Sequence, residues 1–183
     1  MSTKFDARSY RSVMGRFATG VCIATTEIDG QVHGATVNSF TSVSLDPPLV
    51  LISLDNQTRL LEQIRQTGRY SLSILTKDQV QLSNHFAGRP QEGLDVAFDW
   101  VDGHPLLSSA VGHIATELET EHLAGDHTLL IGRVTHLEAF DEEPLLFFSG
   151  RYATMAEQSQ PAPIGVYSVI AMSQFLADDE VIL

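Results

Sequence analysis

Short segments rich in Val, Ile, Leu, Thr and Phe recur along the whole chain and are broken off each time by Gly, Pro, Asn or Asp: VCIATTEI, HGATVNSFTSVSL, PLVLISL, RYSLSIL, HIATELETEHL, TLLIGRVTHLEAF and PLLFFSG. That spacing and turn punctuation predict a mainly β chain, an antiparallel barrel or sandwich. In HIATELETEHL, Ile114, Thr116, Leu118, Thr120 and His122 alternate with His113, Ala115, Glu117, Glu119 and Glu121, the pattern of a strand with one wet face. Three stretches read as helices around this core. Tyr10, Val13, Met14 and Phe17 share one helical face; TRLLEQIRQTG offers Leu60, Leu61 and Ile64 with Gly68 as a stop; KDQVQLSNHFAG offers Val80, Leu82 and Phe86 before Gly88.

The 183 residues suit one domain with a core of its own. The clearest boundary is EQSQPAP, residues 157–163, so residues 1–156 form the expected domain and 157–183 a linker and apolar tail. The tail carries Ile164, Val166, Tyr167, Val169, Ile170, Met172, Phe175 and Leu176, too much apolar surface to leave in water, and is expected to pack on the barrel or on a partner subunit. No apolar run approaches the ~20 residues of a membrane helix, and the start, MSTKFDARSYRS, lacks the apolar centre of a signal peptide, so the expectation is a soluble cytoplasmic protein. The single cysteine, Cys22, lies inside the apolar run GVCIATT and reads as a small buried hydrophobe.

Eleven basic against 23 acidic residues give a formal charge of −12, which repels nucleic acid and anionic membranes. An anionic ligand then needs local backbone N–H donors, hydroxyls and an occasional Arg. Residues 34–58 offer such a place. Thr36, Asn38, Ser39, Thr41 and Ser42 bring hydroxyls and an amide without charge. They read either as a polar strand face or as neutral donors for the edge of a flat heteroaromatic ligand whose faces need apolar walls. Downstream, SLDNQT leads into the TRLLEQI helix, where Ser53, Asn56, Thr58 and the first free N–H groups suit a phosphate, although capping alone explains Asn56 or Thr58 equally well. Arg89 in NHFAGRP suits a phosphate or a helix C-terminus.

The seven histidines form no metal site: His122 and His127 stand five apart across the turn LAGD, and no Cys or carboxylate recurs at ligand spacing. G-x-S-x-G, Walker and G-x-G-x-x-G motifs are absent from the sequence, which leaves hydrolase and Rossmann readings without their local machinery.

Taken in order, RFATGVCIATT, GATVNSFTSVSLDPPLVLISL, HFAG, AGDHTLLIGRV and PLLFFSGRY resemble the flavin reductase family, the short NAD(P)H:flavin oxidoreductases that supply reduced flavin to two-component monooxygenases. The resemblance covers roughly residues 8–155, with the TVNSFTSVSLDPP block and the GDH turn its most specific pieces. It implies a split β-barrel flavin-binding fold, a homodimer, and hydride transfer from NADH, or NADPH, to FAD or FMN. It implies flavin contacts at Thr36, Val37, Asn38 and Ser39, at Ser53, Leu54, Asp55, Asn56 and Thr58, and at Phe86, Ala87, Gly88 and Arg89, with Ser42 nearby in the same polar block. Nicotinamide docking is implied at Gly125, Asp126 and His127, with His127 the catalytic-site residue and Arg151 and Tyr152 closing the site. The implied partner is a reduced-flavin-dependent monooxygenase, of the phenol or chlorophenol type in aromatic degradation, reached mainly by flavin diffusion. Many relatives carry Cys about eleven residues before the GDH His, where this chain has Thr116; hydride transfer needs no thiol. The rival readings are a protein that holds flavin permanently for electron transfer or sensing, a non-enzymatic ligand-binding barrel, and a phosphorylated-pyridine oxidase on a related barrel.

Overall fold

The computed structural model describes residues 6–156. The apolar tail expected to pack lies outside the described residues.

Seven strands form one antiparallel sheet in the order β3-β2-β6-β9-β10-β5-β4: β2 Cys22–Ile28, β3 Gln31–Val37, β4 Thr41–Leu45, β5 Pro48–Asp55, β6 Arg69–Ile74, β9 Gly112–Ala124 and β10 His127–Ala139. β3 and β4 are its two edges, yet only residues 38–40 separate them. Laid flat, six strand spacings would hold the edges about 29 Å apart. Four residue steps reach at most ~14 Å. The sheet therefore curls until its edges approach, and Ser39 fastens the junction: its hydroxyl donates to the carbonyl of Ser53 on β5 and accepts the Ser53 N–H, both at 3.0 Å. Inside the curl Ile52, Leu61, Ile64, Tyr70, Leu72 and Leu130 are fully buried. The mainly β, split-barrel expectation holds, with the barrel left open rather than closed by a ladder.

The segment HGATVNSFTSVSL thus divides into two strands at Asn38–Phe40. Two further hairpins open at Asp–Gly pairs. Asp29–Gly30 (φ 53° and 79°) joins β2 to β3, and Asp102–Gly103 (φ 49° and 79°) joins β7 Phe98–Val101 to β8 His104–Leu107. Positive φ at both central residues matches the right-handed twist of the flanking strands, and Asp–Gly tolerates it. A three-stranded sheet of β1 Thr19–Gly20, β11 Leu146–Phe148 and β12 Arg151–Ala153 lies beside the main one.

The three expected helices are present. α2 Arg59–Thr67 buries Leu60, Leu61 and Ile64 and ends at Gly68, whose φ of 69° is the left-handed conformation that stops a helix. α3 Val80–Phe86 sits directly on β3: a Cβ at Gly34 would lie 3.0 Å from the Phe86 ring. α1 Ala7–Met14 is capped by the Asp6 carboxylate, which accepts from the backbone of Arg8 and Ser9. Its apolar face of Tyr10, Val13 and Met14 is exposed, and Phe17 lies beyond the helix, so among the described residues the face read from sequence covers no core.

β9 departs from the expected alternation. Its first half, Gly112 to Thr116, is buried on both faces, with Ile114 in the core inside the curl and His113 against β8, 2.7 Å from the Leu107 carbonyl; past Glu117, where β6 ends its pairing, both faces are exposed except for half-buried Leu118. The carboxylates there do face water, and two of them pair with Arg65 (Glu121, 2.8 Å) and Arg133 (Glu119, 2.6 Å).

Candidate active site

The polar block of the sequence becomes two structures joined at Ser39–Ser53. The first is a groove of about 190 Å³ between β3, α3 and the small sheet, lined by Val21, Thr36, Val37, Asn38, Ser83, Ala87, Phe147 and Tyr152. Val21, Val37, Ala87 and the two aromatic rings supply apolar walls, and Phe147 and Tyr152 meet edge to face at 5.7 Å. Thr36, Asn38, Ser83 and the Tyr152 hydroxyl supply polar groups, and none of the eight lining residues is an Asp, Glu, Lys, Arg or His. A flat ring system with polar edges fits such a lining, since walls take its faces and neutral donors its edge.

The second structure is a knot of two turns. β9 and β10 join through Gly125 and Asp126, with Gly125 at φ 68°, the first central position of a two-residue hairpin, where type II′ geometry reserves a place for glycine. The neighbouring turn after β5 is zipped to it: the Asn56 N–H donates to the Asp126 carbonyl (3.0 Å), the Asn56 amide to the Gly125 carbonyl (3.2 Å), and the Thr128 hydroxyl to Asn56 Oδ1 (2.7 Å). His127 pairs with Asp55 in the β10–β5 ladder. SLDNQT and GDHT, read as separate signals, are one unit.

Within it His127 Nδ1 lies 2.8 Å from Asp126 Oδ1, and the imidazole holds the Asp126 carboxyl below the usual carboxylate range. An ionised carboxylate only accepts, so Nδ1 carries the proton and Nε2 of the neutral ring is the nitrogen left to accept. Both side chains reach solvent, Asp126 almost completely. Next to this turn Thr58, the N-cap of α2, makes no side-chain capping bond.

The sequence-predicted residues divide accordingly. Thr36, Val37, Asn38, Ala87 and Tyr152 come together in the groove; Asp55, Asn56, Gly125, Asp126 and His127 come together at the turns; Ser39 and Ser53 link the two. Leu54 is buried in the core, which leaves it only backbone to offer, and Phe86 packs under α3 against the cluster of Val21, Ile23 and Leu75. Ser42 is exposed on β4 opposite Val50, Gly88 and Arg89 are exposed past the end of α3, and Arg151 is exposed on β12. Sequence reasoning missed Val21, Ser83 and Phe147, which reach the groove from the β1–β2 junction, α3 and β11. Thr116, the position at which the resemblance implied a Cys in other members, is fully buried on β9 and donates to the Tyr70 carbonyl at 2.7 Å; the position belongs to the sheet interior. Cys22 is likewise buried, and desolvation pushes its thiol up to about 12, which keeps it neutral.

A flavin reductase like domain matches residues 14–156. The chain is 46% identical over 158 residues to an NADH-dependent flavin reductase of Rhodococcus sp, spanning 85% of this chain and 90% of that protein. It is 36% identical to the flavin-dependent monooxygenase reductase subunit HsaB of Rhodococcus jostii (strain RHA1), spanning 86% of this chain and 83% of the relative. Among solved structures it is similar to flavin reductase PheA2 in its native state, with a TM-score of 0.81, 46% identity, and coverage of 84% of this chain and all of that one.

Proposed function

The chain belongs to the flavin reductase family, and we propose that it transfers hydride from NADH to FAD or FMN and releases the reduced flavin to a flavin-dependent monooxygenase. The observation that carries this reading is the uncharged groove: apolar walls beside Thr36 and Asn38, with no carboxylate in the lining. Bound flavin supplies the hydride acceptor and gains negative charge as it is reduced. The Asn38 amide, a neutral donor, favours that charge where a carboxylate would oppose it, while the Thr36 hydroxyl is already given to the Ser83 carbonyl. The open hydroxyl of Thr58 and the first-turn N–H groups of α2 suit the flavin phosphate, with Ser53 and Asn56 beside them. With Nδ1–H given to Asp126, the neutral form of His127 leaves Nε2 to accept the carboxamide N–H of nicotinamide, and so would orient the donor without giving up a proton. No side-chain acid is needed for hydride arrival.

The monooxygenase partner is supported by the likeness to the HsaB reductase subunit, and an aromatic hydroxylase is the class we propose from the resemblance to phenol- and chlorophenol-type reductases. A homodimer is supported by the exposed apolar face of Tyr10, Val13 and Met14. Among the described residues no helix is long and apolar enough to cross a membrane, and no group of three His, Cys, Asp or Glu is placed to hold a metal.

Steady-state NADH oxidation tests the reading: the purified protein should consume NADH only when FAD or FMN is added. Protein that retains its flavin through exhaustive dialysis and consumes NADH no faster with added flavin would instead favour an electron-transfer or sensor role.

A further inference from the structure

Ser83 is fully buried in α3 and sits where three groove residues meet. Its carbonyl accepts the Ala87 N–H at 3.0 Å, closing the last turn of the helix, and also the Thr36 hydroxyl of β3 at 2.6 Å. Its own hydroxyl accepts from the Tyr152 hydroxyl of β12 at 2.9 Å, with Asn84 Oδ1 also 3.2 Å from that donor. One residue thus ties the β3 wall and the β12 wall to α3. β12 is otherwise an edge strand of three residues, held to β11 by three register pairs. The Tyr152 ring keeps its edge-to-face contact with Phe147 whether or not the hydroxyl is bonded.

From this we propose that the Ser83–Tyr152 hydroxyl contact is a latch across the groove that sets how long flavin stays: while it holds, the Tyr152 wall is fixed against α3, and when it opens the wall is free to swing with β12 and the groove widens. Ser83 and the Tyr152 hydroxyl are positioning groups for flavin exchange, distinct from the ring of Tyr152, which is wall. The inference rests on the flavin-reductase reading and deepens it, because a protein that delivers reduced flavin must let it go on every turnover.

The test uses full-length protein loaded with whichever of FMN and FAD it reduces faster. Flavin dissociation is followed by recovery of flavin fluorescence after rapid dilution, for the wild type, Tyr152→Phe, Ser83→Ala and the double variant. Each single variant should speed dissociation about three- to tenfold, the ordinary worth of one hydrogen bond. The flavin KM should rise with it while the NADH KM does not follow. The double variant should be no faster than the faster single one, because both changes remove the same contact. Melting temperatures within about 2 °C of the wild type would separate the latch from general loosening of the fold, since one destabilising kcal/mol shifts a chain of this size by roughly 2–4 °C. Dissociation unchanged in both single variants, or effects that multiply in the double, overturns the latch while leaving the reductase reading standing. A wild type that neither binds nor reduces flavin overturns both.

Discussion

In the Thr36–Tyr152 groove the hydroxyls of Thr36, Ser83 and Tyr152 are bonded into strands and helix and at least half-buried, whereas at the Gly125–Asp126 turn the side chains with chemistry stand in solvent and only backbone and Asn56 hold them. The groove is therefore coupled to the fold: altering its residues moves strands. The turn is coupled to its ligand: altering Asp126 or His127 moves little else. That division suits a protein whose flavin must be held in a shaped cleft while the nicotinamide comes and goes at the rim. β10 joins the exposed turn to the packed interior in one strand, beginning at half-exposed His127 and passing five residues later through buried Gly132.

The comparison breaks most sharply at Gly132. A Cβ there would lie 2.6 Å from the Tyr70 hydroxyl and 2.8 Å from Thr116, both fixed in the buried sheet. Gly132→Ala should cost about 3 kcal/mol by overpacking, lowering the melting temperature by roughly 6–12 °C in a chain of this size. A calorimetric scan of the variant checks it, and an unchanged transition would show that the interior of β10 yields as readily as the rim.

At the rim the expected effect is kinetic. His127→Ala should raise the NADH KM about tenfold, the worth of one good hydrogen bond, and leave flavin affinity within a few fold. Titrating NADH in stopped-flow reduction and flavin by fluorescence separates the two. Equal loss of both would erase the distinction between groove and rim.

Acid tests the interior through His104. It is buried at the start of β8, against β6 and β9, its Nδ1 3.3 Å from Ser71 Oγ and its Nε2 3.6 Å from Glu117. Burial lowers its pKa from the ordinary 6.5, and Glu117 offsets this only in part. A histidine with a depressed folded pKa is neutral when folded and takes up its proton on unfolding, so its contribution is full above pH 6.5 and is lost as pH falls below it. The melting temperature should fall between pH 7 and 5 in the wild type, and this fall should be smaller in His104→Gln. Identical pH slopes would remove His104 as the cause.

The smallest effect is expected at Asp126→Asn. The Asp126–His127 pair is exposed and adds almost nothing to stability, and an asparagine carbonyl still accepts from Nδ1. Melting should be unchanged and the NADH KM should rise about twofold, the low end for one weakened contact. A tenfold rise would show that the charge of Asp126, and not only its acceptor, is used at the rim.

Much of this was legible in the sequence because the signals are local. Three helices announced themselves by apolar spacing and a glycine stop, and the run Thr36–Ser42 stood out as polar but uncharged inside strand-forming sequence. The β7–β8 hairpin went unread although Asp102–Gly103 carries the same turn signal as Asp29–Gly30, because the run before it, VAFDW, is short and mixed. What no local pattern carries is convergence. Ser83 looks like any polar position on a helix, and becomes a junction only because Thr36 and Tyr152, 47 residues before it and 69 after, reach the same residue. Leu54 shows the converse: it sits within the phosphate-suited run, but strand alternation turns its side chain into the core.

The central claim is that the uncharged groove and the His127 rim together bring a nicotinamide hydride to a flavin. Anaerobic mixing of the protein with FAD or FMN and saturating NADH, watching the visible absorption band of oxidised flavin, tests it most directly. The account predicts that the band bleaches in a single protein-dependent phase with at least one of the two flavins. A band that persists with both, in protein shown to be folded, would contradict it.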